Sequence, residues 1–403
     1  MDKILSDALT KETKRQNECL ELIASENFVS KEVRELAGSV LTNKYAEGYP
    51  ERRYYGGCEN IDTIENRAIE LACLLFDAKY ANVQPHSGSS ANMIAYYALL
   101  EPGDKILSLA LDEGGHLTHG SPVSFSSRYY QIAHYHLGKD EKLDYEALRE
   151  VALVEKPKLL LAGFSSYPYK TDYKKLKAIA DEVGAYFMVD MAHIAGLIAG
   201  GVHENPMPYA DIVTSTTHKT LRGPRGGLIL TNDEEIAKKI NKATFPALQG
   251  GPLEHIIAAK AECFYEATLP SFKEYVKQVV INTKACANEF ARLGAKVSGT
   301  DTHLFLLNTK ASYQVSGAEA EKVLESVNIT LNKNMLPNDT ERPSVTSGVR
   351  IGLAALTTRG LDEEGAKEVA RIIHEFLNKK VDAMATLNDV QTLSHKLIDV
   401  TNL

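Results

Sequence analysis

Short, unbroken apolar runs alternate with amphipathic stretches along the middle of the chain. KPKLLLAGF (156–164), AYFMVDMAH (185–193) and ADIVTSTTHK (210–219) are three such runs, and GGLILT (226–231) follows closely. Between the first two lies YKKLKAIADEVG (173–184), which carries a helical pattern. Apolar runs of strand length separated by helices are the mark of a parallel sheet buried on both faces. The spacing predicts an α/β domain.

The pattern then changes. Pro270 opens a long amphipathic helix running through PSFKEYVKQVVINTKACANEFARLG. THLFLLNT (302–309) reads as a strand, and Ser316-x-x-Glu319 as a capping box at the start of a helix. Near the end, GLDEEGAKEVARIIHEFLNKK places Val369, Ile372, Ile373, Phe376 and Leu377 on one helical face. The first 50 or so residues are polar and helical, then tyrosine-rich. The expected division is an N-terminal arm over 1–53, a large domain over 54–267 and a smaller α+β domain over 268–403.

Composition narrows the function. A chain of 403 residues exceeds what one hydrophobic core organises. Its formal net charge of -8 argues against nucleic acid as the main partner, because duplex binding needs a basic excess. The five cysteines, Cys19, Cys58, Cys73, Cys263 and Cys286, are odd in number and form no CxxC pair, which favours a reducing compartment. The N-terminal stretch lacks the apolar core of a secretion signal, and no run of 18 apolar residues suggests a membrane span. The expectation is a cytoplasmic protein.

Candidate chemistry centres on THKTLRGPRGG (216–226). Lys219 sits where an apolar run gives way to a glycine-rich loop. Alone it reads as a surface residue, but Asp190 ends another apolar run and His193 follows it by three positions. Strand C-termini of an open parallel sheet line one crevice, so Asp190 and Lys219 can face one ligand. Pyridoxal phosphate needs this set: a lysine amine for a Schiff base and a carboxylate for the pyridinium nitrogen. Ser87, Gly88 and Ser89 precede a helical run, where free amides favour a phosphate. The HxxH spacing of His116 and His119 invites a metal, but no third ligand lies near, and no metal site is expected. A histidine stacked on a cofactor ring suits the segment better. Arg350 can clamp an amino-acid carboxylate bidentately. Glu47, with Tyr45, Tyr49, Tyr54 and Tyr55 around it in sequence, can be desolvated enough for acid–base work.

ELIASENFVS, NKYAEGYPERRYYGG, SGSSAN, LDEGGHLTHG, YFMVDMAHIAGLIA, TSTTHKTLRGPRGGLIL, LQGGPLEHIIAAK and TSGVRIGLAALTTRG, in that order, resemble the serine hydroxymethyltransferase family over essentially the whole chain. The resemblance implies an aspartate-aminotransferase-like α/β fold and a homodimer with shared active sites. It implies pyridoxal phosphate held covalently by Lys219, with Glu47, Tyr55 and His218 as catalytic companions. Asp190 would pair with the pyridine nitrogen, His116 would stack on the ring, and His193 would contact its phenolic side. Ser87, Gly88 and Ser89 would hold the phosphate, helped by Gly251 of a neighbouring subunit, and Ser165 would also contact the cofactor. Ser25 and Arg350 would take the substrate carboxylate, with Tyr45, Glu47 and Tyr55 arriving from the partner chain. Leu111, Gly115, His116, Leu117 and Asn334 match folate-site positions.

The chain departs from the family pattern at Ser124-Phe125-Ser126-Ser127, at Tyr135-His136 and at Gly352-Leu353-Ala354-Ala355. Arg342-Pro343-Ser344 stands where the family has Ser-Pro-Phe near folate. Two readings follow. One is the reversible conversion of L-serine and tetrahydrofolate to glycine and 5,10-methylenetetrahydrofolate. The other is a folate-independent β-hydroxy-amino-acid aldolase or transaldolase, or a 2-methylserine hydroxymethyltransferase, on the same scaffold.

Overall fold

The computed structural model describes residues 1–403. Two compact units organise it. One gathers Glu32–Ser165 and Lys170–Lys273; the other gathers Met1–Lys31, Ser166–Tyr169 and Glu274–Leu403.

The first unit is built on a seven-stranded sheet. Its strands are β1 (Tyr80–Asn82), β2 (Lys105–Leu109), β3 (Gln131–Tyr135), β4 (Leu159–Gly163), β5 (Tyr186–Asp190), β6 (Ile212–Thr216) and β7 (Gly227–Thr231), in the spatial order β1-β7-β6-β5-β4-β2-β3. From β6 to β3 every pairing is parallel, and only β7 runs antiparallel to its neighbours β6 and β1. Every residue of β4, β6 and β7 is buried. That is why β4 and β7 read as nearly continuous apolar runs rather than alternating ones, while β6 buries the hydroxyls of Thr214 and Ser215 in hydrogen bonds. Each fully buried Leu or Ile stabilises the sheet by about 1.5–3 kcal/mol. The helix Tyr173–Val183 follows β4 and turns Tyr173, Leu176, Ile179 and Ala180 inward; its N-cap is Asp172, whose side chain accepts from Lys175 N.

Four consecutive parallel strands, β2, β4, β5 and β6, end at one edge of this sheet. The loops that leave them carry His116, Ser165, His193 and Lys219 respectively. The chain leaving β1 enters the helix Gly88–Leu99.

The second unit holds a three-stranded antiparallel sheet in which Gly348–Gly352 lies between Leu304–Leu307 and Asn332–Asn334. A two-residue strand at Leu20–Glu21 pairs in parallel with Ile329–Thr330, so the N-terminal segment belongs to this unit. Leu20, Phe290, Phe305, Ile351, Val369 and Ile373 share its core. The helix Glu363–Leu377 buries Val369, Ile372, Ile373 and Leu377, as the periodicity predicts, while Phe376 is partly buried. Ser316 caps the helix Gly317–Glu325 by accepting from Glu319 N at 3.2 Å. No helix is long and apolar enough to cross a membrane.

Candidate active site

Asp190 closes β5. One carboxylate oxygen, Oδ2, accepts from His119 Nε2 at 3.0 Å and from Asn92 Nδ2 at 2.9 Å, while Oδ1 accepts from Ala192 N at 3.0 Å. Burial alone would raise this carboxyl's pKa. The hydrogen bond and charge of His119, with smaller contributions from His116 and Asn92, outweigh it and hold the pKa well below the carboxylate range. Asp190 is therefore held as a largely buried anion at neutral pH. Its neighbour in register is Gly163, at the end of β4. A Cβ on Gly163 would lie 2.7 Å from Asp190 Cβ and 3.1 Å from His119 Cε1, so only glycine lets the three segments meet.

The support extends further. Asn92 Nδ2 donates to Thr118 Oγ1 at 2.9 Å, and Asn92 Oδ1 accepts from Thr214 Oγ1 at 2.6 Å. Thr118 in turn meets His116: its backbone N donates to His116 Nδ1 at 3.2 Å, and its hydroxyl lies 2.8 Å from the same atom. Nδ1 is thus the acceptor, which places the proton of a neutral His116 on Nε2 and fixes its ring plane. Ser165 N donates to Gly114 O at 2.7 Å, fastening the His116 loop to the chain that leaves β4. Leu111 and Leu117, on the same loop as Gly115 and His116, are exposed apolar groups.

Lys219 is buried at 8% exposure. The next residue, Thr220, donates its hydroxyl to His193 O at 2.8 Å and accepts from Gly196 N at 3.0 Å. The loops after β5 and β6 are therefore clamped together, and His193 and Lys219 are held close along them. His218 is half-buried and its pKa is pulled down to about 3, first by burial and then by the charges of Arg225, Lys219 and Lys260. Its Nδ1 is buried with no hydrogen-bond partner.

Ser87 caps the helix Gly88–Leu99, accepting from Ser90 N at 3.1 Å. A Cβ on Gly88 would come within 2.6 Å of Thr216 Cγ2, so this helix start abuts the end of β6, three residues before Lys219. The free amides of the first turn make it an anion-ready surface. A buried anion, a buried lysine and an anion-binding turn at one sheet edge are the groups that a phosphorylated pyridine aldehyde requires, and the residues present fit that group.

A second cluster forms around Glu47. Tyr45 and Tyr55 meet edge to face with ring centroids 5.4 Å apart. The negative charge of Glu47 raises the Tyr55 phenol's pKa. A Cβ on Gly250 would sit 3.4 Å from Glu47 Oε1, and one on Gly251 would sit 3.2 Å from Tyr45 Cε1. Glu47, Tyr45 and the Gly250-Gly251 turn thus pack together. Tyr45, Tyr54 and Tyr55 are all more than half or at least half exposed.

In the other unit, Arg350 lies mid-strand, in register with Leu306 and Asn332, and its Nε donates to Asn332 Oδ1 at 3.2 Å. It is 8% exposed, and burial lowers its pKa to about 10, which leaves it charged at neutral pH. Gly352 N donates to Leu22 O at 2.8 Å, and a Cβ on Gly352 would strike Ala24. The turn holding Ser25 therefore runs alongside the strand that holds Arg350. Asn334 ends the neighbouring strand and donates to Met335 O at 2.6 Å.

Asn92, Thr118 and Thr214 escaped the sequence reading. The only available signal was an asparagine four residues inside an apolar helix, where it needs partners if buried.

Fold and site together define an α/β protein whose sheet presents a largely buried carboxylate, a buried lysine and an anion-ready helix start at its C-terminal edge. A model of the family described as serine hydroxymethyltransferase matches residues 1–373. Proteins named serine hydroxymethyltransferase from Lactobacillus johnsonii and Lactobacillus gasseri are 56% and 55% identical over 384 and 400 residues, covering 94% and 98% of this chain and 93% and 97% of theirs. One of the same name from Mesoplasma florum is 56% identical over 380 residues, 94% of this chain and 92% of its own. The chain belongs to the serine hydroxymethyltransferase family.

Proposed function

We propose that this enzyme reversibly converts L-serine and tetrahydrofolate to glycine and 5,10-methylenetetrahydrofolate, with pyridoxal 5'-phosphate attached at Lys219. The observation that carries the reading is the buried Asp190 anion, held by His119 and Asn92 at the strand end beside the Lys219 loop. Family membership and relatives of one name support the same reaction and do not favour the folate-independent alternative.

Pyridoxal phosphate supplies an electron sink for the pair left on Cα when the Cα–Cβ bond breaks. Each protein group has a task around it. The Asp190 carboxylate would keep the pyridine nitrogen protonated. Ser87 and the Gly88 and Ser89 amides would hold the phosphate, with Gly251 of a second subunit. His116, His193 and Ser165 would hold the ring. Arg350 and Ser25 take the serine carboxylate. Glu47 accepts or returns the proton of the serine β-hydroxyl, with Tyr45 and Tyr55 shaping its surroundings. His218, neutral at physiological pH, adds no charge beside Lys219. Leu111, Gly115, Leu117 and Asn334 line the folate site.

The exposed Tyr45, Tyr54 and Tyr55 suit a homodimer interface, through which Glu47 and Gly251 serve the neighbouring site. The proposal keeps a cytoplasmic location and the division into an arm over 1–53, a large domain over 54–267 and a small domain over 268–403. The test is glycine release from serine by the purified, cofactor-loaded enzyme, with and without tetrahydrofolate. Stoichiometric, folate-stimulated glycine and methylenetetrahydrofolate are expected. Folate-indifferent cleavage would overturn the assignment.

A further inference from the structure

Lys260 is a second buried lysine to which none of these roles has been given. It lies on the helix Glu254–Thr268 at 1% exposure. Its Nζ donates to Val83 O at 2.7 Å, Gly227 O at 2.8 Å and Pro85 O at 3.0 Å. An ammonium has three N–H donors, and each meets a carbonyl here; a neutral amine would leave one carbonyl facing a lone pair. Val83–Pro85 leads directly into Ser87, and Gly227 N donates back to Pro85 O at 2.9 Å. A Cβ on Gly226 would run into Lys260 Cε, so the glycine-rich loop after Lys219 leaves room for this side chain.

The surroundings act on the charge in both directions, and the three carbonyls are what hold the ammonium. Burial pulls the Lys260 pKa down to about 7, and the carboxylates of Glu65 and Glu254 work against that fall. Glu65 is gripped by Arg53 Nη2 at 2.6 Å and Gln84 Nε2 at 2.7 Å. Gln84 is itself part of the turn that Lys260 holds.

We propose that Lys260 is a positioning residue for the anion-binding turn: by clamping the carbonyls of Val83, Pro85 and Gly227 it aims the Ser87–Ser89 amides at the cofactor's phosphate. The inference rests on the phosphate-site reading of those residues. A fold that merely needed these carbonyls satisfied would not require a charge, whereas an anion-binding turn gains from a cation fixed behind it.

The test titrates the full-length apoenzyme with pyridoxal 5'-phosphate and with pyridoxal, following ligand absorbance, and takes the ratio of the two dissociation constants. That ratio reports what the phosphate contacts contribute. In Lys260→Met it should fall by about ten-fold, while the pyridoxal constant stays within about three-fold of wild type. Lys260→Gln keeps two donors without charge and should fall by more than about three-fold. A ratio within about three-fold of wild type in either variant overturns the proposal. So does equal weakening of both ligands, which assigns Lys260 to fold stability alone. If Lys260→Met does not fold, Lys260→Gln is judged by the same criteria. A wild-type ratio near unity would overturn the phosphate-site reading itself, before any variant is made.

Discussion

Asp190 Oδ2 and His119 Nε2 lie 3.0 Å apart at the end of β5, with side chains only 10% and 2% exposed. The pair explains how a carboxylate remains ionised where burial should protonate it. Asp190→Asn keeps the shape and removes the charge. Serine cleavage should fall by about a hundred- to a thousand-fold, the range seen when one preorganised electrostatic group is removed. The sign of the pH effect follows from the lowered pKa. The stabilisation is complete above the ordinary value near ~3.9 and is lost as pH falls through the lower folded value. In denaturant titrations, the stability gap between wild type and Asp190→Asn should therefore be constant near neutrality and shrink only below about pH 4. A gap that shrinks between pH 7 and 5 would refute this account.

Glu254 behaves in the opposite sense. Both carboxylate oxygens are buried without a hydrogen bond, and Arg53 Nη1 is 3.9 Å from Oε1. Burial, then the charge of Glu65, pushes its pKa up to about 8. A raised carboxyl pKa disfavours folding as pH rises from the unfolded value near ~4.3 to the folded one. Glu254→Gln should thus stabilise the protein, by roughly 1–3 kcal/mol at pH 8–9 and little at pH 5. Thermal melts of both proteins across that range check it; a pH-independent difference counts against an ionisable Glu254 that lacks a hydrogen bond.

Much of this was legible in the chain. β4 and β7 announced themselves because strands buried on both faces are mostly apolar, and β6 through its opening Ile212-Val213. Asp190 and Lys219 stood out as charged residues ending or following such runs. The reversed direction of β7 was not readable, since burial is the same for either orientation. The Asn92–Asp190 and His119–Asp190 contacts join residues 98 and 71 positions apart, and no local spacing encodes them. The pairing of Leu20–Glu21 with Ile329–Thr330 is two residues long, too short for any periodicity. Lys260 went unremarked in the sequence, where a lysine within the apolar stretch IIAAKAECF is its one signal.

Lys219→Ala tests the covalent anchor. The helix start at Ser87–Ser89 is intact in this variant, so pyridoxal phosphate should still bind, though dialysis removes it. Borohydride should fix the cofactor to the wild type and leave the variant unlabelled. Multiple turnover of serine should be lost in the variant. Labelling at another lysine would move the anchor elsewhere.

Glu47→Gln separates proton handling from binding. The half-buried side chain packs against Gly250 in a form that glutamine can copy. Glycine binding should persist within a few-fold, while serine turnover should fall by roughly two to four orders of magnitude. The Tyr55 phenol, whose pKa is raised by the Glu47 charge, should ionise at lower pH in the variant. Ultraviolet difference titration reads that shift. Survival of serine turnover within a few-fold would assign the proton to another group.

The last expectation concerns folate. Arg342, Pro343 and Ser344 are exposed, in a turn closed by Val345 N donating to Arg342 O at 2.8 Å. Where relatives of the family pattern carry a phenylalanine, Ser344 offers no apolar area to the p-aminobenzoyl ring. A fully buried phenylalanine contributes about 1.5–3 kcal/mol, so its absence weakens folate by at most about ten- to a hundred-fold. Arg342 brings a cation that the carboxylates of the folate tail can meet, yet a single exposed ion pair adds only about 0–1 kcal/mol. One tail carboxylate cannot offset the lost ring contact, whereas several glutamates raise the number of pairs. Binding of monoglutamate folate should therefore be weak, with a larger gain on polyglutamylation, and the gain should shrink as salt screens the exposed charges. Arg342→Ser combined with Ser344→Phe should tighten the monoglutamate and flatten that gain, measured as dissociation constants of the glycine-loaded enzyme at two ionic strengths. Unchanged monoglutamate affinity in the double variant would show that this turn does not touch folate.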